Sequence, residues 1–258
     1  RTLDKVDPRV LHTAFSRLFT SLQRGKGLED MAFYDGHYLI SNDGTQYFTS
    51  NTIHCDDCLV YTHKEGKKEY AHQLLGSVIV HPDHKVVIPL IPEPIKNGDG
   101  NEKNDCERNA SKRLLPRFRA RHPHLKAIMV EDALAANAPH LADLAAHDLR
   151  FIIRIKEGSH GFLFKELDSG TETHTYTDAD GVAYTFHFKN NVGLNASNQA
   201  TRVNVFDVEA TPRHGETKRF TWITDIPITT DTVYTLMRGG RARWKIENET
   251  FNTLKNQG

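Results

Sequence analysis

Three acidic residues stand where carboxylates could act on a phosphodiester: Asp43, Asp132 and Glu247. Moving a phosphodiester requires an activated water or 3′-hydroxyl, in-line geometry and stabilisation of charge on the phosphate oxygens. Two divalent ions about 4 Å apart supply all three. Hard ions such as Mg²⁺ prefer carboxylate oxygens. We therefore take these residues as candidate catalytic residues and as candidate ligands of two Mg²⁺ or Mn²⁺ ions.

Glu247 belongs to the stretch Arg241–Gly258, which predicts one helix. On a helical wheel Glu247 lies in the middle of a mainly apolar arc, and Glu249 points to the other side. A carboxylate among apolar side chains is costly unless a positive group meets it. That group is a neighbouring arginine in one interpretation and a divalent cation in the other. The arc contains Arg243, Trp244, Phe251, Leu254 and Lys255, and we expect Trp244 in the core.

Asp43 and Asp132 each follow an apolar run that predicts a strand. We expect the strand to break at Asp43, because Gly44 lets the backbone turn away. The alternative is a simple Asp-Gly turn, as at Asp35-Gly36. Asp132 ends a short apolar strand, and ligands in open α/β sheets collect at the carboxyl ends of strands. Strand alternation puts Glu131 on the opposite face; the alternative for Asp132 is a cap of the following turn.

A second, separate metal site is predicted around the motif Cys55-Asp56-Asp57-Cys58. His54, His63 and His72 are nearby in sequence, and two thiols with a histidine are typical zinc ligands. We take Cys55, Cys58 and His63 as the candidate zinc set. The alternative is a pair of unligated surface thiols.

Two of these motifs resemble a known family. Arg-Trp-x-Ile-Glu followed by Phe-x-x-Leu-Lys resembles the third-carboxylate helix of bacterial insertion-sequence transposases of the DDE class. Arg243 and Glu247 keep the spacing of the subgroup with a Tyr-Arg-Glu-Lys signature, although Gly240 stands at the Tyr position and Lys255 lies one residue late. Asp-Gly-Thr-Gln-Tyr-Phe-x-Ser at 43–50 resembles the first-carboxylate motif, and the segment 105–108 also resembles the family.

The resemblance implies a ribonuclease-H-like α/β fold and a DNA transposase that cleaves transposon ends and transfers them into target DNA. It implies metal binding by Asp43, Asp132 and Glu247, a homodimer on double-stranded DNA, and a bacterial, nucleoid-associated protein of the cytoplasm. Two alternatives stay open. One is a domesticated, non-catalytic module that binds DNA or protein, and the other is a nuclease that shares the fold.

The elements that must position these residues follow from periodicity. Asp7-Pro8 predicts a helix start, and Arg24 to Gly27 its end. Strands are expected at 37–48, 70–81 and 85–91, as an antiparallel meander with a turn at 82–84. A basic helix is expected at 102–121, irregular at Pro116. Strand 125–130, helix 139–148 and strand 149–156 then predict a parallel, right-handed unit.

The chain divides into four expected segments. Residues 1–34 are expected to form a helical linker from an N-terminal region that precedes this sequence. Residues 35–156 and 232–258 form the catalytic core, and 157–231 a β-rich insertion with its own small core. Within the insertion no helix signal is seen. Residues 233–237, which follow the insertion, are a further strand candidate.

Charge and composition limit the classes of partner that the sequence predicts. The chain of 258 residues has 33 Lys or Arg and 33 Asp or Glu, so its net charge is zero, unlike a general nucleic-acid binder. The basic residues cluster, however, and we expect local phosphate contacts. The lack of a long apolar run and of a disulfide framework predicts an intracellular protein without membrane partners. The predicted DNA-binding residues are Arg113, Arg117, Arg119, Arg121, Arg243 and Lys255.

Overall fold

The structure, a computed structural model, describes residues 8–64, 66–97 and 106–253. The protein has a mixed α/β fold, in which the strands are mostly antiparallel and helices pack against them. The chain forms two compact units. The first contains residues up to Leu125 and from Trp244 onward, and the second contains Lys126–Arg243. The predicted division into four segments has different boundaries.

The first unit begins with a 3₁₀ turn, Pro8–Leu11, and helix α1, His12–Arg24. The predicted end of α1 is confirmed, because Gly25 follows it with its N–H bonded to Ser21 O. Asp7, the predicted cap, lies outside the described residues. The strands of this unit are β1 (Ala32–Tyr34), β2 (His37–Ser50), β3 (Leu59–Thr62), β4 (Lys68–His81), β5 (His84–Pro89) and β6 (Glu93–Ile95).

The predicted antiparallel meander is present. β4 pairs with β2 on one side, with Leu39 opposite Val80, and with β5 on the other, where His81 lies opposite His84. The turn between β1 and β2 is made by Asp35 and Gly36, whose φ angles are 47° and 70°. Both residues therefore have a left-handed backbone conformation, which the common two-residue hairpin turn with positive φ at both positions requires.

The expected break of the strand at Asp43-Gly44 is wrong. β2 continues through both residues, with Asp43 opposite Gly76 and Gly44 opposite Leu75. The same dipeptide therefore makes a turn at 35–36 and an extended strand at 43–44. The difference arises because β4 offers an unbroken row of backbone partners at 43–44, so ladder hydrogen bonds replace the local turn.

Helix α2, Glu107–Arg121, contains Pro116 without ending there. The predicted helix began earlier, at Glu102, which lies outside the described residues. Its apolar side packs on the sheet of the first unit, where Ala110 and Leu114 join a buried cluster with Leu59, Leu75 and Ile95. This packing fixes α2 on one face of the β2–β4 pair.

The second unit begins with the predicted strand–helix–strand arrangement. β7 (Ala127–Glu131), α3 (Ala138–Ala146) and β8 (Arg150–Ile155) follow in order, and β7 and β8 are parallel. All five residues of β7 are buried, as expected for a strand that reads as a continuous apolar run.

The expected insertion with its own small core is not what the structure shows. The segment starts with a helix, α4 (Glu157–Asp168), and continues through β9 (Glu172–Thr177), β10 (Ala183–Gly193), β11 (Arg202–Thr211) and β12 (Lys218–Thr224). β12 pairs antiparallel with β8, and the order continues as β11, β10, β9. These strands therefore extend the sheet of β8. The open edge of β8 supplies partners that composition cannot reveal.

The chain returns to helix before Arg241. Helix α5 spans Val233–Arg241, so the strand expected at 233–237 is wrong. In the turn before this helix Thr229 and Thr232 bond reciprocally, each hydroxyl accepting from the other's backbone N–H. The buried residues Val233, Leu236, Met237 and Gly240 then recur at helical spacing. β-branched and aromatic residues at 233–235 concealed this pattern.

The predicted single helix at 241–258 is three segments in the described part. α5 passes into a 3₁₀ turn, Ala242–Trp244, and then into a π-helical turn, Ile246–Phe251. Residues 254–258 lie outside the described residues. Among the helices of the described ranges, none combines the length and apolar character needed to cross a membrane.

Candidate functional site

Asp43 lies in the middle of β2, half-buried and directly opposite Gly76 of β4. Its Oδ1 accepts from the N–H of Gly44 at 3.1 Å. Residues directly opposite each other in an antiparallel pair project to the same face of the sheet. The side chain of Asp43 therefore points to the face toward which a Cβ of Gly76 would point.

The π-helical turn covers that face. A Cβ on Gly76 would lie 2.8 Å from Cε1 of Phe251 and 3.5 Å from Cδ1 of Ile246. Both side chains are buried. Glycine at position 76 thus lets this turn approach the backbone of β4 beside Asp43.

Glu247 is carried by the same turn. It is half-buried, whereas Glu249 is exposed, as the helical wheel predicts. The N–H of Asn252 bonds to the carbonyl of Glu247, a five-residue span, so Glu247 lies about one turn from Phe251. Within the first unit, then, the turn that bears Glu247 packs on the face to which Asp43 points. Single π-helical turns are frequent at functional sites.

Asp132 belongs to the second unit and follows β7 directly. Its Oδ1 accepts from the N–H of Leu134 at 2.9 Å, which caps the 3₁₀ turn Ala133–Ala135. The capping interpretation is therefore correct for this oxygen. Because a carboxylate has two oxygens, this bond is compatible with a metal at the other. The role of Asp132 as a metal ligand stays a prediction.

Glu131, the residue before Asp132, contacts a histidine of helix α3. It is buried, and Oε2 lies 2.6 Å from Nε2 of His140 on α3. Burial lowers the pKa of His140, but the charge and hydrogen bond of Glu131, together with the charge of Asp143, raise it, and the net result is a raised pKa. This buried pair ties β7 to α3, so Glu131 has a structural role.

The four arginines predicted to contact DNA from α2 all have partners within the first unit. Arg113 and Arg117 both pair with the buried carboxylate of Glu93, Arg113 through Nε to Oε1 at 2.8 Å. Arg119 donates to three carbonyls of the turn after α2, at His122, Pro123 and Leu125. Arg121 donates to Ser16 Oγ at 2.8 Å. These side chains stabilise the unit, and phosphate contacts by them stay a prediction.

The remaining predicted DNA-binding residues are Arg243 and Lys255, which lie in the last segment of the chain together with Trp244. Arg243 is buried, with 7% of its surface exposed. Contact with a phosphate, or orientation of Glu247 as the alternative role, stays a prediction. Burial lowers the pKa of Arg154, and the nearby charge of Arg243 lowers it further. Trp244, expected in the core, is 42% exposed. Lys255 lies outside the described residues.

The thiols of the C-x-x-C motif meet a histidine, but it is not the predicted one. Sγ of Cys55 and Sγ of Cys58 lie 3.3 Å and 3.5 Å from Nε2 of His72, and the two sulfurs are 3.6 Å apart. His63 instead faces Glu69, with Nε2 3.4 Å from its Oε2. Burial raises the pKa of the Cys58 thiol. His72 lies opposite Phe48 of β2, and this strand pairing, which spacing along the chain does not fix, brings it beside the two thiols.

Sequence reasoning assigned no chemistry to Glu107, yet this residue is next to Gly44. Its carboxylate fills the space that a Cβ of Gly44 would take. Since neighbouring strand residues point to opposite faces, Glu107 and Asp43 lie on opposite faces of β2. A glycine inside a strand, which often marks a close approach of another group, was the signal for this contact.

Comparison with known proteins adds little. The sequence matches no protein-family profile and no curated protein. Among solved structures it matches the NurA nuclease from Sulfolobus solfataricus, with 9% identity and a TM-score of 0.34, over 90% of this chain and 85% of that chain. A TM-score this low supports no inference of a shared fold or activity, so function must be argued from the residues.

Proposed function

We propose that the protein catalyses metal-dependent phosphodiester chemistry on DNA, as transposases of the DDE class do. The observation that supports the proposal is the packing of the Glu247 turn on the face of β2 and β4 to which Asp43 points. Both residues are half-buried, and both belong to regular structure, a strand and a π-helical turn.

The donor set suits a hard divalent cation. Carboxylate oxygens are the protein ligands that Mg²⁺ and Mn²⁺ prefer, and such ions keep several waters. Asp43 and Glu247 would hold the ion, with Asp132 as the third ligand predicted from sequence. The bound ion would activate the attacking oxygen and stabilise charge on the phosphate.

The chain itself would position the two carboxylates and supply their negative charge to the ion. β2 pairs with β4 on both sides of Asp43, which holds the backbone at this residue. Phe251 and Ile246 anchor the turn of Glu247 on Gly76. A site built on such rigid elements needs little reorganisation at the moment of reaction.

The test is a cleavage assay on transposon-end DNA with the full-length protein and Mg²⁺ or Mn²⁺. Asp43→Asn and Glu247→Gln should abolish cleavage with little loss of DNA binding. Glu249→Gln is the matched control, because Glu249 lies exposed on the same turn. Cleavage that survives Glu247→Gln but is lost in Glu249→Gln would refute the assignment.

The same assay separates the alternatives. Joining of the cleaved 3′ end to a second DNA indicates a transposase, and cleavage without joining indicates a nuclease. Binding without cleavage under any metal indicates a non-catalytic module. Asp132→Asn tests the third carboxylate, with Glu131→Gln as its neighbour control, since Gln can still accept the hydrogen bond of His140.

A further inference from the structure

The C-x-x-C motif and His72 form a cluster that the proposed DNA chemistry does not use. Cys55 and Cys58 lie in the connection between β2 and β3, and His72 lies on β4. Their three potential ligand atoms are mutually separated by 3.3, 3.5 and 3.6 Å. Among the described residues this is the group of His, Cys, Asp and Glu side chains that converges as a metal site would require.

These separations fit one particular geometry. A tetrahedral zinc ion with Zn–S about 2.3 Å and Zn–N about 2.0–2.1 Å places two sulfurs about 3.8 Å apart and a sulfur and a nitrogen about 3.6 Å apart. The observed values are within a few tenths of an ångström of both. A disulfide would need the sulfurs about 2.05 Å apart. The side chains are thus arranged around the position of an ion.

We propose that Cys55, Cys58 and His72 bind one Zn²⁺. Two thiolates and an imidazole are soft and borderline ligands, which select zinc over Mg²⁺ or Mn²⁺. The fourth tetrahedral position is filled by water or by a ligand that the three described groups do not supply. The site is thus chemically distinct from the carboxylates proposed for DNA cleavage.

The surroundings hold the ligands in place. The N–H of Cys55 donates to Sγ of Cys58 at 3.3 Å, and the N–H of Cys58 donates to the carbonyl of Cys55 at 3.2 Å. The ring of His72 stacks on Tyr47, with centroids 5.9 Å apart. Hydrogen bonds to ligand sulfurs and packed ligand rings are the outer-shell contacts that orient a metal site.

Three protein ligands leave one coordination position open, and the contribution proposed for this ion is to the local structure. The ion would tie the irregular chain between β2 and β3 to β4. The same connection has a second tie, because Asp57 pairs at 2.7 Å with Lys96, which follows β6. His72 lies opposite Phe48, five residues along β2 from Asp43, a separation of about 16 Å in a strand. Paired catalytic ions are about 4 Å apart, so this zinc is not one of them.

Metal analysis of the full chain, purified without added zinc, tests the proposal. We expect about one zinc per chain in the natural protein and less than about a tenth in Cys58→Ser and His72→Ala. His63→Ala is the matched control and should keep its zinc. Thiol titration should show Cys55 and Cys58 protected until a chelator is added.

Two results would overturn the proposal. One is a natural protein that lacks zinc and, when given Co²⁺, shows no thiolate-to-cobalt absorption. The other is zinc loss in His63→Ala with zinc retained in His72→Ala. If a variant fails to fold, chelator treatment of the natural chain decides instead: loss of about one zinc with a lowered Tm supports the site, and an unchanged Tm contradicts its structural role. None of these readouts depends on DNA cleavage.

Discussion

The ring of Phe251 lies against the backbone of Gly76, with Cε1 2.8 Å from the point that a Cβ would occupy. This contact seats the turn that carries Glu247 beside Asp43. The close approach depends on the absence of a side chain at position 76. The π-helical turn that carries Glu247 is therefore complementary in shape to β4 at Gly76.

Gly76→Ala should displace the turn. The added methyl group would overlap the buried Phe251 ring, and overpacking of this kind costs about 1–3 kcal/mol. We expect a moderately lower free energy of unfolding and a much larger fall in DNA cleavage, because Glu247 moves with the turn. Denaturant unfolding and the cleavage assay measure the two effects.

Gly158→Ala is the control, since a Cβ there meets nothing within 4 Å. The double variant Gly76→Ala, Phe251→Leu replaces the ring by a smaller side chain. It should recover part of the cleavage that Gly76→Ala loses. Full activity in Gly76→Ala alone would show that the turn does not position the site.

Removing Arg113 should destabilise the first unit. Glu93 is buried and accepts from both Arg113 and Arg117, so Arg113→Ala leaves a buried carboxylate with one partner. We expect a loss of about 1–3 kcal/mol in the free energy of unfolding, below the range for fully buried pairs because both arginines are partly exposed. Lys112→Ala, at the adjacent exposed position, should leave stability unchanged.

The same pair of variants tests phosphate contact. Each phosphate neutralised by the protein adds about 0.9 to the slope of log affinity against log salt. If Arg113 contacts DNA as well as Glu93, the slope of Arg113→Ala falls by about that amount under conditions where the variant is folded. An unchanged slope would assign Arg113 to structure alone.

His122 should make stability fall in mild acid. Burial, followed by the charges of Arg121 and Arg119, lowers its pKa to about 4, from an ordinary 6.5. The unfolded chain then binds the proton first, so the stabilising contribution is complete above pH 6.5 and is lost as pH falls toward 4. Because His122 is partly exposed, we expect about 1–2 kcal/mol.

His122→Phe should flatten this dependence while keeping the ring against Phe19 and Phe118. His124→Phe, at an exposed position two residues later, is the control and should keep it. Unfolding measured at several pH values between 4 and 7 gives the result, and identical profiles in both variants would contradict the assignment.

The Glu131–His140 pair should act in the opposite direction. The pKa of His140 is raised above its ordinary value in the folded protein: burial lowers it, but Glu131, together with the charge of Asp143, raises it further than burial lowers it. Its contribution is therefore present below pH 6.5 and is lost as pH rises through the raised pKa. Glu131→Gln should cost more stability at pH 6 than at pH 9, and an equal cost at both would contradict a charged pair.

The sequence alone identified the elements whose signals are local. The periodicity of α1, the alternation in β2 and β4, and the apolar runs of β7 and β8 predicted their type, and the structure has them. The difference in exposure between Glu247 and Glu249 also agrees with the predicted wheel, although both residues lie on a π-helical turn and not on one continuous α-helix.

The tertiary structure decided what depends on partners distant in the chain. Asp43-Gly44 is extended because β4 lies beside it, and β12 joins β8 because β8 has an open edge. His72 rather than His63 meets the two thiols because strand pairing brings position 72 beside the loop after β2. Spacing along a chain fixes which residues share a face, but backbone pairing and packing fix which faces meet.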